Sequence, residues 1–130
     1  RLRFFHEFSH AEIWEVMRAS TWRDYAPGEH IVREGEIDDR FYILVSGECA
    51  VERTGTNVGK IETGDCFGET GYVKGARRTA SIRAASAVTV LKVSATLLEQ
   101  VSAACQLRFN RMFLKTLITR LQNAEALAIR

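Results

Sequence analysis

"FGETGYVKGARRTAS", residues 67–81, carries one carboxylate, Glu69, three glycines at 68, 71 and 75, and the adjacent pair Arg77 and Arg78. No Pro, His or Cys falls inside it, and Asp65 lies just before it. The stretch breaks a series of short strand-like segments. Its reading decides whether the chain is a plain β domain or a β scaffold that carries a ligand loop.

Working outward, the flanking segments read as strands. On the N-terminal side, "WRDYAPGEHIVREGE" (22–36) holds turn signals at Pro27-Gly28 and Gly35, and "RFYILVSG" (40–47) is a short apolar run ended by Gly47. "ECAVER" (48–53) alternates, "TGTNVG" (54–59) reads as a hairpin-like turn, and "KIETGD" (60–65) leads into a turn at Gly64-Asp65. On the C-terminal side, "SIRAASAVTVLKV" (81–93) gives two strands around Ala85-Ser86. Short strands about ten residues apart, with turns between them, predict a small antiparallel sandwich or barrel.

Helical patterns bound this region. Ser9 and Glu12 fit a capping box, and Ile13, Trp14, Val16 and Met17 then form one apolar face expected in the core. Phe4, Phe5 and Phe8 precede them. Leu97, Leu98 and Val101 predict a short helix. From about Gln106 no Gly or Pro occurs, and Leu107, Leu114, Leu117, Ile118, Leu121 and Ala124 mark a long amphipathic helix. The expected architecture is α+β, with helices at both ends of a β-barrel. One domain is expected over 1–130, with an N-terminal helix at about 9–20, the β region at about 22–94 and C-terminal helices over about 95–130.

Composition narrows the function classes. With 46% hydrophobic and 26% charged residues, the chain reads as an ordinary globular protein. A net charge of +2 with scattered arginines gives no nucleic-acid or membrane-surface signal. Cys49, Cys66 and Cys105 lie far apart with no CxxC pair, which predicts three reduced thiols in a cytoplasmic protein and no metal site. No apolar run is long enough to span a bilayer. The chain starts at Arg1 without Met, which predicts a processed protein or a piece of a longer one.

The 67–81 stretch suits a phosphorylated sugar. Glycines permit close backbone approach, and successive backbone N–H groups make an anion cradle. An arginine supplies a planar fork that matches phosphate oxygens. Glu69 accepts hydrogen bonds and so suits a sugar hydroxyl. Alone, a Glu and an Arg nine residues apart signal only a surface ion pair, worth about 1 kcal/mol or less.

The stretch closely resembles the phosphate-binding cassette of cyclic nucleotide-binding domains, the family of protein kinase A regulatory subunits, the catabolite activator protein and cyclic nucleotide-gated channels. The resemblance rests on "FGE" (67–69) and "RTASIRA" (78–84), and extends to "YAPGEHIVREGE" (25–36), "FYILVSGE" (41–48) and "GDCFGE" (64–69). It implies an eight-stranded antiparallel β-roll, jelly-roll-like, with a short helix in the cassette. It implies a ligand, cAMP or cGMP, and no further cofactor.

The resemblance also implies residue roles. Phe67, Gly68, Glu69, Thr70, Arg78, Thr79 and Ala80 form the ligand site, with Glu69 on the ribose 2′-hydroxyl and Arg78 on the cyclic phosphate. Gly68, Thr79 and Ala80 complete the phosphate cradle. Arg78 directly precedes the small pair Thr79-Ala80, as the family arginine does; Arg77 is expected to be solvated. "TGYV" (70–73) departs from the commoner apolar run, and Tyr72 and Val73 are expected to plug the core. Thr79 permits cGMP without requiring it. Glu125 is the only acid after Glu99, which favours cAMP. The last helix is expected to close over the base, with Arg120 reaching the purine or lying in solvent. It also offers a surface for a homodimer.

Three function classes compete. The leading one is a non-enzymatic cyclic nucleotide sensor that controls an unidentified effector through the C-terminal helix. The alternative is a structural or dimerisation domain of the same fold that no longer responds to ligand. A metal-dependent barrel enzyme needs a His/Glu ligand cluster, which His6, His10 and His30 do not supply. No nucleophile arrangement is recognisable around them.

Overall fold

The structure is a computed structural model and describes residues 5–68 and 77–129. Helix α1 (His10–Arg18) opens the chain behind Phe5 and Phe8, both buried. Its start is set by the expected capping box. The Glu12 N–H donates to Ser9 Oγ at 3.2 Å, and the Ser9 N–H donates to Glu12 Oε1 at 2.8 Å. Val16 is buried and Ile13 and Met17 pack partly against it, but Trp14 is 67% exposed. The core expectation for Trp14 therefore fails. One residue beyond Ile13, it is rotated about 100° around the helix, off the buried stripe.

Among the described residues eight strands follow: β1 (Ser20–Tyr25), β2 (His30–Val32), β3 (Arg40–Ser46), β4 (Cys49–Arg53), β5 (Thr56–Ile61), β6 (Cys66–Phe67), β7 (Ser81–Ala84) and β8 (Val88–Ser94). They form two four-stranded sheets, ordered β1-β8-β3-β6 and β2-β7-β4-β5. Every ladder is antiparallel. This is the expected eight-stranded β-roll, and its two sheets enclose one core of Tyr42, Leu44, Phe67, Ile82, Val88 and Val90.

The first sheet is covered on both faces, which explains the unbroken apolar run in β3. Tyr42 and Leu44 point into the roll, while Phe41 and Ile43 point outward into a second core with the helices. Side chains alternate faces along a strand, so a strand buried on both sides has no polar position to spare.

One expected turn is mostly strand. Only Thr54 and Gly55 turn, both at positive φ, and the "TNVG" that follows them lies in β5. The signal misled because β5 is an exposed edge strand with a register shift opposite Val51 and Glu52. Edges and bulges tolerate Asn and Gly that a central strand would not.

After β8 come α2 (Ala95–Leu98), with Ser94 as N-cap, and α3 (Ala103–Ile129). The helix starts three residues before the expected Gln106. Its buried face is not the leucine stripe. Cys105, Phe109 and Phe113, four residues apart, enter the core, while Leu107, Leu114, Leu117, Ile118 and Leu121 are 46–64% exposed. The helix carries two apolar stripes, and the aromatic one meets the roll because Phe41 and Phe8 wait there. The Phe41–Phe113 and Phe41–Phe109 ring centroids lie 4.3 and 5.2 Å apart, and Phe8–Phe109 6.2 Å, all edge-to-face. Polar contacts add to this. Glu15 accepts from the Ser102 N–H and hydroxyl at 2.8 and 2.9 Å, and Glu7 pairs with Lys115.

The three cysteines are buried thiols outside any disulfide. Burial pushes the Cys49 and Cys105 thiols up to about 11. Among the described residues no helix is long and apolar enough to cross a membrane.

Candidate functional site

The cassette's C-terminal end is pinned by backbone. The Arg78 N–H donates to Glu36 O and the Gly35 N–H to Arg78 O, both at 2.8 Å, and Ile37 and Arg77 form an antiparallel bridge. Gly35 sits at φ +86, a turn that favours glycine. The chain at 77–78 is thus zipped to the loop that leads into β3. β6 holds the other end through Tyr42↔Phe67 and Ile43↔Cys66.

Between these anchors lies the Arg78 side chain, 3% exposed on a residue basis. Its Nη1 donates to Gly68 O at 2.8 Å, its Nη2 donates to Arg40 O, and Asp38 Oδ2 lies 3.4 Å from Nη2. A buried cation needs such partners, since an unpaired one loses its hydration uncompensated. Gly68 makes the approach feasible. At φ +81 it accepts a conformation that L side chains rarely adopt. A Cβ there would stand 3.0 Å from Arg78 Nη1, 3.2 Å from Tyr42 Cδ1 and 3.3 Å from Arg40 O.

Asp38 organises the surroundings. Its Oδ1 accepts from the Arg40 N–H at 2.9 Å and its Oδ2 from the Tyr42 hydroxyl at 3.2 Å. The Tyr42 ring stacks on Phe67 at 5.0 Å and 7°. Burial first, and the Asp38 charge second, raise the Tyr42 phenol well above its ordinary range, so it stays a hydrogen-bond donor.

Of the expected site residues, the structure brings Phe67, Gly68 and Arg78 together. Phe67 does so as a core ring, 2% exposed, that props Tyr42. Thr79 is exposed and Ala80 half-buried beside Arg78. Arg77 is exposed as expected, although its Nη1 donates to Gly35 O at 2.9 Å. Glu69, Thr70, Tyr72, Val73 and the expected cassette helix lie outside the described residues, and so does the side chain of Arg120.

Asp38, Arg40 and Tyr42 were not legible as site residues. Asp38-Asp39 reads in sequence as a turn pair without partners. The structure gives Asp38 three partners, and Asp39 Oδ2 accepts from the Thr96 hydroxyl at 2.8 Å. Arg78 and Thr96 are remote in sequence and Arg40 contributes its backbone N–H; Tyr42, four residues on, is a side-chain partner, but in sequence it reads only as part of the apolar run of β3. Among the described residues no group of His, Cys, Asp or Glu could hold a metal ion.

The arrangement is a buried guanidinium fork beside a glycine-bounded backbone turn, with Thr79 and Ala80 next in the chain. A planar fork of this kind is a donor set that suits an anion. A cyclic nucleotide-binding domain family model matches residues 22–105. The chain is 34% identical over 87 residues to a cAMP-dependent protein kinase regulatory subunit of Mycosarcoma maydis, covering 64% of this chain and 17% of that protein. It is 30% identical over 100 residues to a cGMP-dependent protein kinase of Toxoplasma gondii, covering 77% and 10%. It therefore spans a small part of the curated relatives it matches. Among solved structures, the catabolite activator protein of Thermus thermophilus superposes with a TM-score of 0.77 at 20% identity, covering 95% of this chain and 60% of that one. The regulatory domain of Toxoplasma gondii protein kinase A, solved with cAMP, gives 0.71 at 23%, covering 88% and 46%. At these identities the structural likeness speaks for the fold.

Proposed function

The chain belongs to the cyclic nucleotide-binding domain family, and from that premise we propose that it is a regulatory sensor that binds cAMP in preference to cGMP. The observation that carries the reading is the Arg78 guanidinium, held by Gly68 O, Arg40 O and Asp38 at the end of a glycine-bounded turn. A guanidinium fork at that position matches the paired oxygens of a phosphate. In the proposed complex Arg78 takes the cyclic phosphate, the backbone of Gly68, Thr79 and Ala80 cradles it, and Glu69 accepts from the ribose 2′-hydroxyl. The chain acts by binding and carries out no catalysis itself.

Calorimetry with both nucleotides tests this. Saturable binding of each is expected, tighter for cAMP because no acid before Glu125 follows Glu99 to meet a guanine amino group. No heat with either nucleotide would favour the alternative, a structural or dimerisation domain of the same fold that no longer responds. Glu69→Gln should weaken binding by about 1–2 kcal/mol, and the 2′-deoxy nucleotide should bind parent and variant almost equally. A variant that keeps a large preference for the ribose form would point to a different acceptor.

The output is proposed to run through α3 to an effector domain or protein. Leu107, Leu114 and Leu121 recur every seven residues with Leu117 between them, all exposed. Such a seam supports a homodimer through this helix. Sedimentation velocity checks it: a dimer is expected, and Leu114→Glu with Leu121→Glu should give a monomer.

A further inference from the structure

A second charged feature lies on the first sheet beside the cassette, joined to it through Arg40, whose carbonyl accepts from Arg78. A cleft of about 440 Å³ opens between the end of α1, the first sheet and α2, lined by Arg18, Arg23, Arg40, Lys92, Asp39 and Thr21 among others. Register explains the clustering. Lys92 pairs with Thr21 on one side and Tyr42 on the other. Its diagonal neighbours on the same face are therefore Arg23 and Arg40. Diagonal positions lie about 7–8 Å apart, within reach of long side chains. Arg18 joins them from the last turn of α1.

Four cations and one carboxylate line the cleft; with Asp38 in electrostatic reach of Lys92 and Glu15 of Arg18, the local balance stays positive by less than the lining alone gives. None of the four forms an ion pair among the described residues. Asp39 instead accepts from Thr96. Like charges set side by side on a sheet oppose folding. Burial, then Arg40 and Arg23, already push the Lys92 ammonium below its ordinary value. A concave site lined by one sign of charge concentrates counter-ions. Its size falls within the range of small-molecule sites, about 300–1,000 Å³.

We propose that this cleft is a second anion site beside the cassette, with its own lining side chains, for a compact ligand bearing two or more adjacent phosphate groups. Arginine forks match phosphate oxygens in pairs. Adjacent phosphates present closely spaced oxygens to more than one arginine fork at once, which a single carboxylate does not.

The test titrates the 130-residue chain with inorganic tripolyphosphate at about 0.15 M salt, read by amide NMR shifts. Saturable shifts are expected at Thr21, Arg23, Arg40 and Lys92, at least about tenfold tighter than for orthophosphate. Saturating cAMP should leave them in place. Lys92→Gln and Arg23→Gln should each weaken binding about fivefold or more, and Lys92→Arg should retain it. Lys92→Gln should also raise the melting temperature of the ligand-free chain, since it removes a like-charge contact. Three results would overturn the proposal: shifts confined to Gly68, Thr79 and Ala80, binding unchanged in Lys92→Gln, or an octaglutamate peptide binding as tightly as tripolyphosphate.

Discussion

Arg78→Ala should abolish measurable cyclic nucleotide binding, a loss on the order of 2–5 kcal/mol, or roughly thirtyfold to several-thousandfold in affinity. The same truncation strikes stability, because the guanidinium is buried against Gly68 O, Arg40 O and Asp38. Removing one partner of a buried pair costs about 3–5 kcal/mol, since the other charge is left uncompensated. Two further variants separate the effects. Arg78→Ala with Asp38→Asn removes the stranded carboxylate, so it should recover much of the stability and none of the binding. Arg78→Lys keeps a charge near Asp38 but not the fork, so it should stay folded and bind weakly. Arg77→Ala should change affinity little, as its contact to Gly35 O is an exposed one. Calorimetry and urea denaturation on the set decide the matter. If Arg77→Ala were the variant that lost ligand, the assignment of Arg78 would be wrong.

The surroundings of Arg78 mark the limit of what the sequence carries. The strands were legible because turn residues punctuate them and because Gly28, Gly35, Gly47, Gly64 and Gly68 mark positive-φ corners. Gly47 is the clearest case, since a Cβ there would sit 2.4 Å from Ala87 O. The two-sided burial of β3 was legible as an apolar run, but which side each residue faced was not. The surroundings of Arg78 were illegible for a different reason. Gly68 and Arg40 meet it through backbone carbonyls, which any residue type supplies, and Asp38 lies 40 positions away in the chain. Periodicity marked α3 as amphipathic but could not choose between its leucine and phenylalanine stripes. That choice is made by partners on β3 and before α1, outside the helix's own sequence.

The phenylalanine stripe sets the second large effect. Phe109 is fully buried and touches Phe8, Phe41 and Phe113. Phe109→Ala should cost about 3–5 kcal/mol in chemical denaturation, a large share of the roughly 5–15 kcal/mol that holds a domain together. Phe109→Leu, which keeps most of the volume, should cost clearly less. A cost under about 1 kcal/mol for the alanine variant would mean that α3 is not docked as described. This anchoring also constrains the proposed output. Cys105, Phe109 and Phe113 tie the first part of α3 to Phe41, and the Phe41 neighbour Arg40 supplies a carbonyl to Arg78. A helix so held cannot swing as one rod without breaking the core. Any closure over the nucleotide must bend beyond Phe113, the last of the buried aromatic anchors. Hydrogen exchange should then show cAMP slowing amides from Leu114 to Leu121 and at Gly68 to Ala80, with Cys105 to Phe113 already slow and unchanged. Slowing that stops at the cassette would leave α3 out of the response. Slowing that includes Phe109 would mean that the aromatic anchor itself shifts on binding.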